Sequence, residues 1–450
     1  MKRMFGTDGI RGVAGEKLTA ELSFKVGAAC AQLMGSKEHK ARILIGKDTR
    51  FSGEMFEAAL TAGIMSVGAN AEIVGVIPTP GMAYLIRKYG ADAGIVISAS
   101  HNSFEHNGIK IFNKDGHKLS DAVEDEIEAI VKDFASVKPA IGENIGKKIV
   151  LEQAKKDYTD FVCTKGLDSF AGLKVVLDCA NGASSGIAKD AFSRLGAEVL
   201  SYFDAPDGVN INGNCGSTAP GNLSKLVVEN GADIGFAFDG DADRLIAVDE
   251  NGEVVDGDKV MAICAIDMHD RGVLKNDTVV ATNMSNMGLK VCLKEHGMKL
   301  VQTKVGDRYV LEEMLKSGYV LGGEQSGHVI FLRENTTGDG MITAMKLLSI
   351  VKRSGKKLSE LASVMSVYPQ IQINVNVPEE KKNDWSKFDD VQQAMMEADI
   401  VLGGNGRVVV RASGTEALVR VMVEGKNAAV IEREAKQIAA AIDKCLNLEN

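Results

Sequence analysis

Residues 94–102 read Gly-Ile-Val-Ile-Ser-Ala-Ser-His-Asn, so an apolar run typical of a buried strand passes directly into a small polar loop. In α/β proteins the ends of such strands open onto the crevice where ligands bind, and a side chain there has a rigid support. Serines in a loop most often satisfy the backbone groups of a turn. The stretch therefore predicts an α/β sheet and offers Ser100 as a candidate, and the rest of the chain must decide its role.

The chain before this stretch alternates helical and strand patterns. A first helix places Leu22, Val26, Ala29 and Leu33 on one face. Further strand patterns occur at residues 43–45 and 73–77, and further helical patterns at 55–67 and 83–88. This rhythm predicts an α/β unit with a mostly parallel sheet.

The same rhythm is repeated twice. A second unit opens with the strand pattern at 173–178 and closes at 234–238, followed by a hairpin across Asn251-Gly252. A third begins near Asp258 and ends in a Gly-rich loop at Gly322-Gly323. From about Val367 the pattern changes to the alternation of a half-solvated strand and a final helix over 428–445. We expect domains at residues 1–150, 151–252, 253–366 and 367–450.

Composition excludes several classes of protein. The 450 residues are 45% hydrophobic and 25% charged, as in a globular enzyme of several domains. No apolar run approaches the roughly 18 residues of a membrane helix, and the N-terminus lacks a signal-like apolar segment, so we expect a cytoplasmic protein. A net charge of -9 without a basic run argues against nucleic-acid or membrane partners. Seven cysteines without a Cys-x-x-Cys pair suggest neither a zinc site nor a disulfide framework.

Three carboxylates alternate in residues 238–244, Phe-Asp-Gly-Asp-Ala-Asp-Arg, at the end of an apolar strand. Asp239, Asp241 and Asp243 can converge on one cation, and oxygen-only ligands favour Mg²⁺ or Ca²⁺. An EF-hand is excluded because Arg244 occupies the position that requires glycine. An aspartyl phosphotransferase of the haloacid-dehalogenase type, with Asp239 as nucleophile, stays open as an alternative.

A phosphate-binding pattern follows the strand at 408–410. Arg411, Ser413, Gly414 and Thr415 combine a guanidinium, two hydroxyls and a glycine that lets backbone N–H groups approach, and Arg420 lies nearby in sequence. Guanidinium groups bind phosphate oxygens in pairs, and such loops form anion-binding concavities. The pattern predicts a phosphate site.

A third polar loop, residues 322–328, offers Glu324, Ser326 and His328. Its carboxylate and hydroxyl suit the vicinal hydroxyls of a sugar. Cationic side chains also occur at Gly-rich bends elsewhere, namely Arg11 in residues 6–12, Lys47 and Arg50 in residues 46–50, and Lys304 and Arg308 on either side of Asp307.

Together these motifs resemble the α-D-phosphohexomutase family over essentially the whole chain. The family motifs appear in order as Ser-His-Asn at Ser100, Asp-Gly-Asp-x-Asp-Arg at 239–244, Gly-Glu-x-Ser-Gly-His at 323–328 and Arg-x-Ser-Gly-Thr-Glu at 411–416. The resemblance implies an α/β fold of four domains around a central cleft, with one motif in each. The first three would be topologically similar α/β domains with mixed sheets, and the last a smaller α+β domain.

The resemblance also implies an activity. Segments 5–12, 210–218 and 305–309, with Gln325, are similar to the branch that interconverts glucosamine 6-phosphate and glucosamine 1-phosphate, toward UDP-N-acetylglucosamine and cell-wall precursors. Phosphoglucomutase or phosphomannomutase activity is the main alternative, because one amino group at C2 changes few contacts. A non-enzymatic sugar-phosphate-binding regulator is a remote one. The resemblance is compatible with a monomer or a homodimer.

Site roles follow from the resemblance residue by residue. One Mg²⁺ per subunit would be held by Ser100, Asp239, Asp241 and Asp243, with Ser100 phosphorylated and a sugar bisphosphate as activator. The expected catalytic residues are Ser100, His101, Lys110, Arg11 and His328. The expected substrate-binding residues are Arg244, Lys304, Asp307, Arg308, Glu324, Ser326, Arg411, Ser413, Gly414, Thr415 and Arg420. For Lys110 to exchange protons near neutral pH, a cationic neighbourhood would have to lower its pKa.

Four positions depart from the family pattern. Ser103, Ala412 and Ala417 stand where proline is usual, and Ala219 replaces a usual histidine. Because proline presets φ, its absence should loosen these loops while leaving the nucleophile and the metal ligands intact.

Overall fold

The computed structural model describes residues 3–6, 8–36, 39–167, 169–413 and 416–447. It divides into two compact units, Met1–Ser285 with Leu293–Val364, and Asn286–Cys292 with Met365–Asn450. Among the described residues, no helix combines the length and apolar character needed to cross a bilayer.

The first sheet has the strand order β1-β5-β4-β2-β3-β6. Its elements are β1 (Ile10–Val13), α1 (Ala20–Met34), β2 (Arg42–Lys47), α2 (Gly53–Ser66), β3 (Asn70–Val76), α3 (Thr79–Tyr89), β4 (Ala93–Ile97), β5 (His106–Asn113), α4 (Asp121–Lys132), β6 (Lys148–Val150) and α5 (Ala154–Cys163). Strands β4, β2, β3 and β6 are parallel, whereas β5 runs antiparallel to both β4 and β1. The expected apolar face of α1 packs against the core.

The second sheet has the order β11-β10-β9-β7-β8. Its elements are β7 (Lys174–Asp178), α6 (Ala188–Arg194), β8 (Glu198–Tyr202), α7 (Gly221–Glu229), β9 (Ile234–Phe238), β10 (Leu245–Asp249) and β11 (Val254–Val255). Strands β8, β7 and β9 are parallel, and β10 reverses direction. The hairpin predicted across Asn251-Gly252 is confirmed as the β10–β11 pair.

The third sheet has the order β13-β12-β14-β15. Its elements are α8 (Gly257–Asp270), β12 (Thr278–Thr282), α9 (Met287–Glu295), β13 (Lys299–Thr303), α10 (Asp307–Ser317), β14 (Leu321–Gly323), β15 (Val329–Phe331), α11 (Gly340–Ser354) and α12 (Leu358–Ala362). Gly322 and Gly323, expected in a loop, lie instead in β14, because they pair with β12 on one side and β15 on the other.

The same strand–loop–strand arrangement occurs in all three sheets. In each, a parallel strand is followed by a loop and then by an antiparallel strand, as in β4 to β5, β9 to β10 and β14 to β15. These loops contain Ser100, the three aspartates and Glu324, respectively. The predicted similarity of the three α/β units is confirmed, and the mostly parallel sheet expected from periodicity alone is corrected to a mixed one.

The second unit contains an antiparallel sheet of order β16-β18-β17. Its larger elements are β16 (Gln370–Asn376), α13 (Asp389–Leu402), β17 (Gly406–Ala412), β18 (Leu418–Gly425) and α14 (Ala428–Asn447). Its core includes Val375 of β16, Val421 of β18 and Ile438 of α14. The α+β character and the half-solvated strand predicted at 371–377 are confirmed.

Candidate active site

Ser100 lies in the loop that follows β4, and its hydroxyl points toward the aspartate loop, residues 239–244, of the second sheet. Its Oγ donates a hydrogen bond to Asp239 Oδ2 at 2.6 Å. The residue is buried, and its φ of 53° falls in the left-handed region that residues other than glycine rarely adopt. This strained conformation places the Ser100 hydroxyl on the carboxylate cluster.

The cluster consists of Asp239, Asp241 and Asp243. Their side chains are buried, and one oxygen from each lies within 4.8 Å of the others. Burial, together with the other two carboxylates, raises the pKa of Asp239 well above its usual range. Three buried carboxylates at this separation require positive charge between or beside them.

The hydrogen bonds indicate which oxygens are available to a cation. Asp241 Oδ2 accepts from Thr79 Oγ1 at 2.6 Å and from Lys110 Nζ at 2.8 Å. By contrast, Asp241 Oδ1 and Asp243 Oδ1 are buried and accept no hydrogen bond from any described residue. A buried carboxylate oxygen without a donor is costly. The donor set, all oxygen and with two orphaned atoms, therefore fits a hard divalent cation.

Lys110 is held among carboxylates. Its Nζ lies 2.8 Å from Asp241 Oδ2 and 3.2 Å from Asp8 Oδ2, and the side chain is buried. Burial alone would lower the pKa of Lys110, but Asp241, Asp8 and Asp243 raise it above its usual range. The condition set from the sequence, a cationic neighbourhood that lowers the pKa of Lys110, is therefore not met, and Lys110 is a charged donor in this structure.

The N-terminal motif reaches the third sheet through Lys118. Its Nζ bridges Asp8 Oδ1 at 2.5 Å and Asp307 Oδ2 at 2.6 Å. Asp8 also pairs with Arg11, whose guanidinium lies 3.5 Å from the carbonyl oxygen of Ala99. These ion pairs connect the segment before β1 with the start of α10.

The two histidines occupy different positions. His101 Nδ1 lies 3.3 Å from Ser100 Oγ, and burial with the nearby Arg244 and Arg11 lowers its pKa to about 4, so it is neutral at physiological pH. His328 is buried, with Nδ1 3.5 Å from Asp243 Oδ2 and Nε2 accepting from the N–H of Gly338 at 3.1 Å. Burial lowers the pKa of His328, but Asp243 and Asp307 outweigh it and raise that pKa to about 9. The bond from the Gly338 N–H nevertheless requires an unprotonated Nε2, so in this geometry the ring is neutral and carries its hydrogen on Nδ1, facing Asp243.

The expected sugar-binding residues have different surroundings, and only some of them are bonded to other parts of the site. Glu324 Oε1 accepts from the N–H of Gly306 at 3.2 Å, and Ser326 and Lys304 are exposed. The guanidinium of Arg308 is bound by Asp121 at 2.6 Å, at the start of α4. Arg244 Nε lies 4.0 Å from Asp243 Oδ1, and it is buried with no hydrogen-bond acceptor in the described part of the chain.

The predicted phosphate residues lie in the second unit. Arg411 and Arg420 are directly opposite each other on β17 and β18, a like-charge pairing that is unfavourable without an anion. Ser413 Oγ accepts from the N–H of Glu416 at 3.2 Å, and Arg420 donates to the Glu416 carboxylate at 2.7 Å. Gly414 and Thr415 lie outside the described residues.

Sequence reasoning missed several polar contacts of the site. Thr79, Asp8 and Lys118 were not singled out, and Asn212 was noted only as part of a segment. Asp8 had a usable signal, since it lies in the Gly-rich segment that supplied Arg11. Thr79 had none, because its partner Asp241 is 162 residues away.

Four domain models of one protein family match successive segments of the chain. The phosphoglucomutase/phosphomannomutase alpha/beta/alpha domains I, II and III match residues 2–137, 155–252 and 256–368, and the C-terminal domain of that family matches residues 373–441.

Relatives in sequence cover the full chain. The phosphoglucosamine mutase of Thermoanaerobacter sp. (strain X514) is 56% identical over 447 residues, covering 99% of this chain and 100% of its own. That of Clostridium novyi (strain NT) is 53% identical over 448 residues, with coverage of 99% and 100%.

Solved structures share the fold. A phosphoglucomutase/phosphomannomutase family protein from Burkholderia thailandensis gives a TM-score of 0.83 at 24% identity, covering 98% of both chains. N-acetylphosphoglucosamine mutase from Aspergillus fumigatus, in complex with GlcNAc-6P and magnesium, gives a TM-score of 0.65 at 16% identity, covering 94% of this chain and 96% of its own. At these identities the likeness concerns the fold alone.

Proposed function

Because this chain belongs to the phosphoglucomutase/phosphomannomutase family, the α-D-phosphohexomutases, we propose that it acts as a phosphoglucosamine mutase. It interconverts glucosamine 6-phosphate and glucosamine 1-phosphate through a phosphorylated Ser100 and a bisphosphorylated sugar. Full-length relatives of 53% to 56% identity that carry this name support the choice of substrate over glucose or mannose phosphates.

One observation carries the proposal. Ser100 Oγ donates to Asp239 Oδ2 at 2.6 Å, beside two buried carboxylate oxygens without a described donor. A serine that carried no phosphoryl group would not need a cation site at its hydroxyl. The contacts of Asp239 also argue against the haloacid-dehalogenase-type alternative, because Oδ2 accepts from Ser100 and Oδ1 accepts from the N–H of Arg244 at 3.2 Å.

In the proposed cycle, the free hydroxyl of the sugar monophosphate attacks the phosphorus on Ser100 Oγ. A P–O bond to the sugar forms, the P–Oγ bond breaks, the sugar hydroxyl loses its proton and Ser100 Oγ regains one. The second half-reaction returns the other phosphoryl group to Ser100. Asp239, Asp241 and Asp243 would hold Mg²⁺, which would offset charge on the phosphoryl group and on the carboxylates around Lys110.

Lys110 is the proposed proton carrier, since it is a buried amine on the strand that follows the nucleophile loop. His101 is a second candidate, because its Nδ1 lies 3.3 Å from Ser100 Oγ. Arg11 and His328 act by orientation, through Asp8 and Asp243 respectively.

Binding of the sugar is assigned to two groups of residues. Arg411, Ser413, Gly414, Thr415 and Arg420 hold the phosphate that is not reacting, so that remote binding energy orients the far hydroxyl. The sugar and its charges are held by Arg244, Lys304, Asp307, Arg308, Glu324 and Ser326. These residues must accept the sugar in both orientations, because the bisphosphate turns over between half-reactions.

The test compares kcat/KM for glucosamine, glucose and mannose phosphates, with a sugar bisphosphate present and with or without EDTA. We expect glucosamine phosphate to be preferred and EDTA to abolish turnover. Ser100→Ala should be inactive, whereas the matched Ser103→Ala, three residues along the same loop, should keep most activity. Phosphopeptide mapping should find acid-stable phosphate on Ser100, and a hydroxylamine-labile aspartyl phosphate would refute the mutase.

A further inference from the structure

Two side chains donate hydrogen bonds to the backbone of the Ser100 loop. Arg50 Nη2 donates to the carbonyl oxygens of Ser100 at 3.1 Å and Asn102 at 2.6 Å. Asn212 Nδ2 donates to the same two oxygens, each at 2.9 Å. We call this pair, Arg50 and Asn212, the carbonyl clamp. Its members come from loops after β2 and β8, so two different sheets fix one loop.

The clamp acts on the part of the loop that is conformationally costly. Ser100 has φ 53°, and a left-handed serine persists only where its surroundings over-determine it. Two donors on each of two carbonyls fix the direction of both peptide planes, and Ser98 Oγ fixes a third point by accepting from the N–H of Ser100 at 2.9 Å. The direction of the Cα–Cβ bond that carries Ser100 Oγ follows from these constraints, and the bond to Asp239 then selects the position of Oγ.

Stability alone does not explain Arg50. The residue is buried and its guanidinium pairs with Asp48, yet Arg50 Nε is buried without a hydrogen-bond acceptor among the described residues. Burying a cation and an orphaned donor is unfavourable. Functional sites are where such costs are retained.

We propose that Arg50 and Asn212 are positioning residues for phosphoryl transfer, an inference that rests on the proposed function. Among the described residues, no hydrogen bond or ion pair joins Arg50 or Asn212 to the three aspartates of the cation site. They keep Ser100 Oγ directed at Asp239 both when it is a hydroxyl and when it carries a phosphoryl group that the carboxylates repel. Misplacement of a reacting atom by about 1 Å can cost about 100-fold in rate.

The test measures kcat, KM and the thermal midpoint of Arg50→Ala, Arg50→Lys and Asn212→Ala with phosphorylated enzyme. We expect kcat to fall about 100-fold in Arg50→Ala and about tenfold in Asn212→Ala, with KM within about threefold of wild type. Arg50→Lys keeps the charge beside Asp48 but lacks the planar fork, so it should fold and remain slow. Added guanidinium should occupy the space left by the Arg50 side chain and raise the kcat of Arg50→Ala by about tenfold or more.

Arg42→Ala is the matched control. Arg42 begins β2 and makes a two-point ion pair with Glu72, at 2.6 and 2.9 Å, so its loss should lower the thermal midpoint and leave kcat nearly unchanged. The proposal is overturned if Arg50→Lys and Asn212→Ala turn over at the wild-type kcat, or if only KM rises. It is also overturned if kcat merely tracks the thermal midpoint across all variants. An inactive wild-type enzyme would instead refute the proposed function.

Discussion

Thr79 provides the sharpest test of the cation site. It is the first residue of α3, it is fully buried, and its hydroxyl donates to Asp241 Oδ2 at 2.6 Å. Thr79→Val removes that donor while keeping the shape of the side chain. The backbone N–H of residue 79 still donates to the carbonyl oxygen of Asp241, at 3.0 Å, so the loop stays tethered.

The expected loss can be worked from these contacts. A hydrogen bond to a charged group contributes about 1.5–3 kcal/mol, and loss of a residue that orients a metal ligand weakens metal binding about 10- to 100-fold. Lys110 still donates to the same oxygen at 2.8 Å, so the lower end applies. We expect the Mg²⁺ concentration for half-maximal activity to rise about tenfold, with kcat at saturating Mg²⁺ nearly unchanged.

Activity is titrated with free Mg²⁺ in an EDTA buffer, and Mn²⁺ binding is followed directly by electron paramagnetic resonance. Thr61→Val in α2 is the matched control, because Thr61 is also buried and its hydroxyl has no partner among the described residues. An unchanged half-saturation in Thr79→Val, or an equal shift in Thr61→Val, would refute the reasoning.

Three further outcomes are expected. Gly240→Ala would place a Cβ 2.6 Å from the carbonyl oxygen of Ser100. The substitution should therefore displace the Ser100 loop and lower kcat strongly, while the thermal midpoint falls only slightly. Lys118→Met leaves the two carboxylates that it bridges facing each other, so kcat/KM should fall about tenfold and high salt should restore part of it. Burial raises the pKa of Asp339 from 3.8 to about 6, so the acid form stabilises the fold below about pH 4 and that stability is lost as the pH rises through 6. The thermal midpoint of Asp339→Asn, compared with wild type, should therefore be more favourable at pH 7.5 than at pH 5.

The sequence pattern predicted what is local. The helix α1, the strand leading to Ser100 and the alternating carboxylates could be recognised because periodicity and strand ends involve neighbouring residues. Strand β5 was not predicted, since Asn107-Gly108 is a turn signal and Lys110 interrupts its apolar run. That lysine can be buried because carboxylates distant in sequence pair with it, among them Asp241, 131 residues later.

The electrostatic surroundings of the site were the least predictable part. From sequence, Lys110 needed cationic neighbours, and the fold gives it Asp8 and Asp241 instead. The bond from Thr79 to Asp241 and the bond from Asn212 to the carbonyl oxygen of Ser100 likewise join residues from different sheets. Contacts of this kind depend on how domains pack, which single-segment patterns do not encode.

The pairing of β4 with β5 makes the length of the intervening loop part of the chemistry. Val96 faces Lys110 and Ile97 faces Ile109 in this register. Because side chains alternate across a strand, a slip of one residue would send Lys110 to the opposite face and bring an isoleucine in its place. A single insertion between residues 98 and 105 would therefore do more than displace the serine, since it would also turn the lysine away from the carboxylates. Spacing, as much as residue identity, is what this hairpin has to preserve.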